Sequence, residues 1–426
     1  MKVLQVSTDD DSGGASRSAY RLHQALTEQS VDGWMRVLRH ETANSRVRDG
    51  RPTRTLQKKI LDRLIKKSRE FSNRKWHTDN PILHSFGQTS AGLLSEINQN
   101  PAQIVNLHWV TDLLSINDIG AICKPLVWTV HDMWPFCGGE HSTPDTADAR
   151  FRTGYFESNR PSTERGPDLN RKAWDEKKSA WHQKAMTFVA PSQWMSRCIG
   201  ESALFKNAPI RIHVIPNPLP MDVTWRPIDK RRARASLGLD LNKKYLLAGS
   251  AGGMSSIKGE DMLAPIMNRV VQRYGPSVEL IIFGRRHALA GENWPVKVHW
   301  MGQVKSDSVM ASLYSAADVM LVPSRQDNLP NTAVEAQACG TPVVAFSIGG
   351  LPDIIEQGET GWLAPPFDLD HFANGITWLL EERERYLQIA DRSRELAVNK
   401  FDASRIAKKY IEIYEQVLSE QSPSVR

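Results

Sequence analysis

Asp327 and Glu335, with seven residues between them, are the acidic pair whose setting points most directly to chemistry. Between the apolar runs 319–322 and 341–346 lie a polar loop and a short helical pattern that include Asn328, Leu329, Pro330, Asn331 and Thr332, closed by Gly340. Strand, loop, helix and strand in that order form one right-handed crossover, and open parallel sheets bind ligands in the loop at the carboxyl end of the first strand. The helix start near Asn331 and Thr332 offers N–H groups and a positive dipole end suited to a phosphate. Glu335, one turn further, carries an acceptor-only carboxylate able to take a pair of vicinal hydroxyls. Well upstream, GSAGGMSSIKGED turns through glycines to Lys258, a compact charge for a diphosphate beside backbone that tolerates close approach. That run is neither a P-loop nor a dinucleotide fingerprint, so a plain surface turn is the competing reading. His131 and Asp132 end the strand-like run PLVWTVHD on the ligand side of an open sheet, with a structural histidine as the alternative. Gly13 and Gly14 stand between an opening strand and a helix, where an anion or a close substrate fits and where a simple turn would also serve. Cys137 and His141 lie nearby without the spacing of a known metal site, and no metal is expected.

The elements that must hold these residues follow from alternation. In the amino half apolar runs at 3–7, 33–38, 104–109, 126–130, 186–190 and 210–215 are interleaved with helical patterns, the first at 15–29. The carboxyl half repeats this with runs at 245–249, 278–283, 296–301, 319–322 and 343–346. Such alternation means parallel sheets covered by helices on both faces, an α/β architecture. Residues 143–184 interrupt it with a polar, Arg-rich stretch, expected to be an insertion near the active cleft. The Pro-rich segment 215–229 reads as the linker, giving domains 1–222 and 223–404 and a final amphipathic helix with a polar tail, 405–426.

The segment 318–365 resembles the donor-sugar motif of retaining glycosyltransferases of family four, also called group 1, a resemblance extended by GGLPDII and GETGWL. The resemblance implies the GT-B fold, two facing Rossmann-like domains with parallel sheets and an interdomain cleft, the last helix crossing back onto the first domain. It also implies a nucleotide-diphosphate sugar donor and transfer with retention to a glycan or lipid-linked acceptor, in cell-surface polysaccharide biosynthesis. Carried onto this chain, the first acid contacts the sugar and the second the ribose. Asp327 stands where the family usually has Glu, one methylene longer. Lys258 matches the family's diphosphate lysine, whereas the usual Arg position falls at Gly253, and Arg285 after the strand 278–283 is a candidate substitute. Gly13 and Gly14 match a glycine loop on the acceptor side, and His131 a histidine beside the donor sugar. No nucleophile, cofactor or metal is implied; the leaving phosphate takes the acceptor's proton. The two departures leave a second reading open, a catalytically impaired sugar-nucleotide-binding partner.

Composition fits a two-domain enzyme: 426 residues, 24% charged, 40% hydrophobic. No window approaches a membrane span, and the chain begins MKVLQVS, already strand-like, so a cytoplasmic protein is expected. The formal charge of +6 is concentrated in residues 54–75, which hold nine Lys or Arg against two acids. Nucleic acid is therefore not an expected partner, because no stacking aromatics are interleaved with that charge. Leu56, Ile60, Leu61, Leu64 and Ile65 recur there at helical spacing among lysines and arginines. Such a helix docks on an anionic membrane surface, peripherally on the inner face, or packs its stripe on its own domain. Docking predicts that the full chain co-sediments with anionic vesicles at low salt and is released at high salt. Reversal of Lys58, Lys59, Lys66 and Lys67 to Glu should abolish that binding; a packed helix would leave sedimentation unchanged.

Overall fold

The computed structural model describes residues 1–50, 75–252, 255–285 and 294–421. Most of the basic segment, residues 54–74, and Gly253 lie outside the described residues. The chain divides into two compact units, Met1–Ile215 with Tyr410–Arg426, and Pro216–Lys409. Among the described residues no helix is long and apolar enough to cross a membrane.

In the first unit the strands are β1 (Lys2–Val6), β2 (Asp32–Arg36), β3 (Val47–Arg48), β4 (Ile104–Leu107), β5 (Leu126–Thr129), β6 (Met186–Ala190) and β7 (Ile210–Val214). They form one parallel sheet in the order β3-β2-β1-β4-β5-β6-β7. The second unit has β8 (Lys244–Gly249), β9 (Val278–Phe283), β10 (Val298–Gly302), β11 (Val319–Val322), β12 (Val343–Phe346) and β13 (Gly361–Ala364), in the order β10-β9-β8-β11-β12-β13. Both are doubly wound: the order runs outward in one direction from the first strand and then in the other. This puts a switch point between β1 and β4, and another between β8 and β11.

Strands expected from apolar runs appear within a residue or two of their limits. The two short edge strands were not expected. β3 spans only Val47 and Arg48, too little for a periodic signal. β13 begins at Gly361, where a Cβ would fall 2.3 Å from the Val343 carbonyl oxygen, so glycine lets the strand close onto β12.

The two sheets differ in what they bury. In the second, one face presents Leu247, Ile281, Met320 and Val343 to a core and the other presents Leu246, Leu280, Leu321 and Val344 to a second core. In the first, Leu4, Val6, Val105, Leu107, Trp128 and Phe188 supply one apolar core. Its opposite face carries Gln5, Asn106 and Thr129, all buried.

Residues 143–184 contribute to the core of the first unit. They are the latter part of the crossover from β5 to β6, and their helix Leu169–Trp181 buries Trp174, Lys177 and Trp181. Ala149, Phe151 and Tyr155 join the same core. The polar composition misleads because the apolar residues are few and large, and because a charged one lies inside. Lys177 Nζ donates to the carbonyls of Trp134, Cys137 (3.1 Å) and Gly138 (2.7 Å) and sits 3.9 Å from the centre of the Trp134 ring. The helix thus clamps the loop that follows β5.

Lys177→Met should leave three buried carbonyls without their donor and lower stability by about 3 kcal/mol or more, read from urea unfolding followed by tryptophan fluorescence. Burial pulls the Lys177 pKa from 10.5 to about 7. Between those values the unfolded chain holds more protons, so wild-type stability should gain from this group as pH rises, and the variant should lack that slope.

Candidate functional site

In the second unit the switch point gathers loops from β8, β11 and β12. The loop after β8 makes a short 3-10 turn, Ser256–Lys258, and passes through Gly259 at φ +72° into the helix Glu260–Tyr274. A Cβ at Gly259 would fall 2.0 Å from the Pro323 carbonyl oxygen, so glycine is what allows the two loops to touch. They are also joined by backbone and side chain: Arg325 N–H donates to the Ile257 carbonyl at 2.8 Å, and its guanidinium grips Asp261 at 2.6 and 2.7 Å. The loop after β12 holds the other side, Gly350 N–H donating to the Asp327 carbonyl at 3.0 Å.

These ties bring together two residues that are 69 apart in sequence: Lys258 Nζ donates to Asp327 Oδ2 at 2.5 Å. Ser324 Oγ donates to the same oxygen at 3.3 Å. The lysine side chain keeps 32% of its surface exposed and the aspartate 12%, so the pair faces solvent without being dissolved in it. Gly249, Ser250, Lys258, Ser324, Asp327 and Thr332 line a cavity of about 20 Å³ there, room for one water but not for a phosphate while the pair is closed.

The other residues expected at this site are placed as follows. The helix Asn331–Ala338 starts at Pro330 without a side-chain cap, leaving its first N–H groups at the same end of the sheet. Asn328, Asn331 and Thr332 are half-buried there, whereas Leu329 packs into the core. Glu335 is buried, and its Oε2 accepts from the Tyr314 hydroxyl at 3.0 Å. Arg285 is exposed just beyond the carboxyl end of β9. Ser324, Arg325 and Tyr314 were not read from the sequence; only the polarity of the loop after β11 signals the first two.

In the first unit the opening loop carries Asp9, Asp10 and Asp11, each with a basic partner: Arg39, His40 and Arg17. Gly13, at φ +87°, begins the helix Gly13–Glu28, and a Cβ there would meet nothing within 4 Å. Gly14 lies in the first turn, its carbonyl accepting from the Ser18 hydroxyl at 2.9 Å. His131 lies just past β5, its Nε2 3.2 Å from Nδ1 of His108, the two rings edge to edge with centres 5.4 Å apart and planes inclined by 23°. Burial lowers the His131 pKa to about 4, against the opposing pull of Asp132. Burial alone would raise the pKa of Asp132. His141 and hydrogen bonds from His141, Trp134 and Trp109 outweigh it and hold the carboxylate below its ordinary range. His141 Nδ1 is 2.6 Å from Asp132 Oδ2 and its Nε2 2.9 Å from Ser85 Oγ. Cys137 is a buried thiol whose pKa burial pushes up.

Two doubly wound units with parallel sheets of seven and six strands are the architecture of GT-B glycosyltransferases. The chain belongs to the group 1, family-four glycosyltransferases: residues 12–223 match the model of Glycosyltransferase Family 4 and residues 245–382 that of Glycosyl transferases group 1. D-inositol 3-phosphate glycosyltransferase of Mycobacterium avium (strain 104) is 34% identical over 179 residues, 40% of this chain and 41% of that protein. The protein of the same name from Segniliparus rotundus is 33% identical over 187 residues, 42% of this chain and 41% of that one. The match thus spans about two-fifths of these relatives' length. Among solved structures, sucrose-phosphate synthase from Thermosynechococcus elongatus superposes with a TM-score of 0.67 at 18% identity, covering 99% of this chain and 100% of that one. Anabaena HepE in complex with UDP and glucose gives 0.63 at 18% identity, covering 98% and 100%.

Gly259→Ala should therefore force the Lys258 turn away from Pro323 and cost about 1–2 kcal/mol for the left-handed backbone alone. Gly252→Ala, in the same loop with no heavy atom within 4 Å of the added Cβ, should leave the urea midpoint unchanged.

Proposed function

We propose that the chain transfers a glycosyl group from a nucleoside-diphosphate sugar to a hydroxyl of a glycan or lipid-linked acceptor, with retention, in cell-surface polysaccharide biosynthesis. The observation that carries this reading is the Lys258–Asp327 pair at the switch point beside the start of the helix Asn331–Ala338. The diphosphate takes the ammonium of Lys258 away from Asp327 and rests on the helix N-terminus, which together meet the charge of the leaving group. The bond from the anomeric carbon to the phosphate oxygen breaks, and the bond to the acceptor oxygen forms on the same face. The acceptor's proton passes to the leaving phosphate. The anomeric centre is oxocarbenium-like in between, and Asp327, freed of its lysine, faces that developing positive charge. No step calls on a divalent metal. Glu335 is assigned to the ribose once its hydroxyls replace the Tyr314 contact, and Arg285, at the carboxyl end of β9, to the diphosphate in place of an arginine at Gly253. Asn328, Asn331, Thr332 and the backbone of Leu329 and Pro330 shape the donor pocket. Gly13 and Gly14 are assigned to the acceptor, and His131 to a hydrogen bond with a substrate hydroxyl.

The curated relatives are named for a phosphorylated inositol, a polyol, and HepE was solved with UDP-glucose; both support a hydroxyl acceptor and a nucleoside-diphosphate sugar donor. The second reading, an impaired sugar-nucleotide binder, draws on the two departures from the family pattern, Asp327 in place of Glu and Gly253 in place of Arg. A panel of nucleotide sugars separates the two: a transferase releases free nucleoside diphosphate, a binder shifts the melting temperature and releases none.

Lys258→Ala should lower turnover by ~10²–10³-fold. Glu335→Gln should raise the donor KM more than it lowers kcat, since a ribose contact is equal in ground and transition states, and Asp327→Asn should do the reverse. Identical defects in both acid variants would refute this division of roles.

A further inference from the structure

Gln5 on β1, Asn106 on β4 and Thr129 on β5 lie on one face of the first sheet, with His108 and His131 two residues beyond Asn106 and Thr129. The register pairs Gln5 with Asn106, and alternation along each strand carries the two histidines onto that same face. Gln5, Asn106, His108 and Thr129 are all nine-tenths or more buried. The helix Gly13–Glu28 adds His23, and the helix Ala403–Gln421 adds Tyr410 and Tyr414.

The hydrogen bonds in this layer have a direction. Asn106 Nδ2 lies 3.0 Å from the Leu107 carbonyl, which only accepts, so this atom is the amide nitrogen; Oδ1 correspondingly accepts from the Tyr414 hydroxyl at 2.7 Å. The same nitrogen is 3.1 Å from His108 Nε2 and 3.2 Å from Thr129 Oγ1, which can instead donate to Tyr410, and Gln5 Nε2 is 3.2 Å from the His108 nitrogen. Gln5 Oε1, in turn, faces His23 Nδ1 at 3.0 Å. His108 Nε2 is met by two amide donors, so it is an acceptor and the ring's proton sits on Nδ1. That proton points at His131 Nε2, which is thereby an acceptor too.

We infer that this buried amide–imidazole chain fixes His131 as the neutral tautomer with its proton on Nδ1, making Gln5, Asn106 and His108 positioning residues for it. Resting on the assignment of His131 to a substrate hydroxyl, the inference gives the form of that contact: His131 offers Nδ1–H as a donor, and its Nε2, held by His108, takes no proton from substrate. The direction in which burial moves both imidazoles, downward, agrees with a chain that stays uncharged at neutral pH. Asp132 works against it, and its charge is shared with His141 and Trp109.

The test is a multiple-bond proton–nitrogen correlation spectrum of the full chain labelled at histidine nitrogens, His131 being assigned by its disappearance in His131→Gln. At pH 7 the His131 signals should show a protonated Nδ1 and a bare Nε2. A protonated Nε2, or an imidazolium, overturns the inference. Gln5→Glu puts an acceptor where the amide donor stood, draws the His108 proton to Nε2 and should shift His131 toward the Nε2–H form, with kcat falling about tenfold or more as the Nδ1–H donor is lost. An unshifted tautomer in a folded Gln5→Glu overturns it as well. If that variant does not fold, His108→Gln, whose amide still donates to His131, should keep the wild-type pattern, and loss of the pattern counts against the chain. Because the spectrum needs no turnover, an inactive wild-type enzyme would defeat the proposed transfer and leave the tautomer result standing.

Discussion

A strand in the middle of a parallel sheet has helices over both faces, so a polar side chain on it has no water to turn to and must be matched from within. The first unit places such side chains on three adjacent strands and answers them together. Gln5, Asn106 and Thr129 point one way from the sheet while Leu4, Val105, Leu107 and Trp128 point the other. The covering helices supply His23, Tyr410 and Tyr414, and the last two come from the end of the chain. An unanswered donor or acceptor in this layer would cost about 1–3 kcal/mol. The arrangement is therefore specific in its partners: Asn106 is held by Leu107 and Tyr414, Gln5 by His23 and His108, and Thr129 by Tyr410.

The second unit solves the same problem by keeping both faces of its central strands apolar and placing its chemistry at the strand ends. Loops there are held by short backbone approaches and by the Arg325 side chain. Gly259 against Pro323, Gly349 and Gly350 against Asp327, and Arg325 against Ile257 and Asp261 hold the backbone at Lys258 and Asp327, while the Lys258 ammonium keeps the reach of its side chain. In the proposed transfer such a backbone is in place before the donor is seated, which is where electrostatic stabilisation has its effect.

The sequence disclosed what is local and concealed what is not. The runs 319–322 and 343–346 gave two strands to the residue, because a buried parallel strand is a continuous apolar run. The loop between them declared itself by polarity. Its partner across space did not: nothing in GSAGGMSSIKGED says that Lys258 meets Asp327, since that contact depends on how β8 and β11 neighbour one another. The polar row of the first sheet was legible only as interruptions, a Gln in KVLQV, an Asn in IVNL, a Thr in LVWT. Each alone is unremarked; the register is what aligns them. In residues 143–184 the local signal is polarity alone, and nothing in it says that Lys177 turns inward, where Trp134 and three carbonyls close around its Nζ.

The Lys258–Asp327 pair decides how the proposed site changes on binding. A partly exposed pair contributes little, about 0–1 kcal/mol, so it is no obstacle to a ligand. A diphosphate offers several charged oxygens to the ammonium, and it brings the helix start into play as well. It therefore wins the lysine. Asp327 is then left with its Ser324 contact and an unbalanced negative charge, held in place by the backbone bond from Gly350. In the proposed transfer that charge is uncovered only when the donor is seated, beside a sugar whose anomeric centre turns positive as the bond to phosphate lengthens. The aspartate is thus stabilised by its lysine in the free protein and by the reacting sugar in the complex, and the difference between those two partners is where it would lower the barrier.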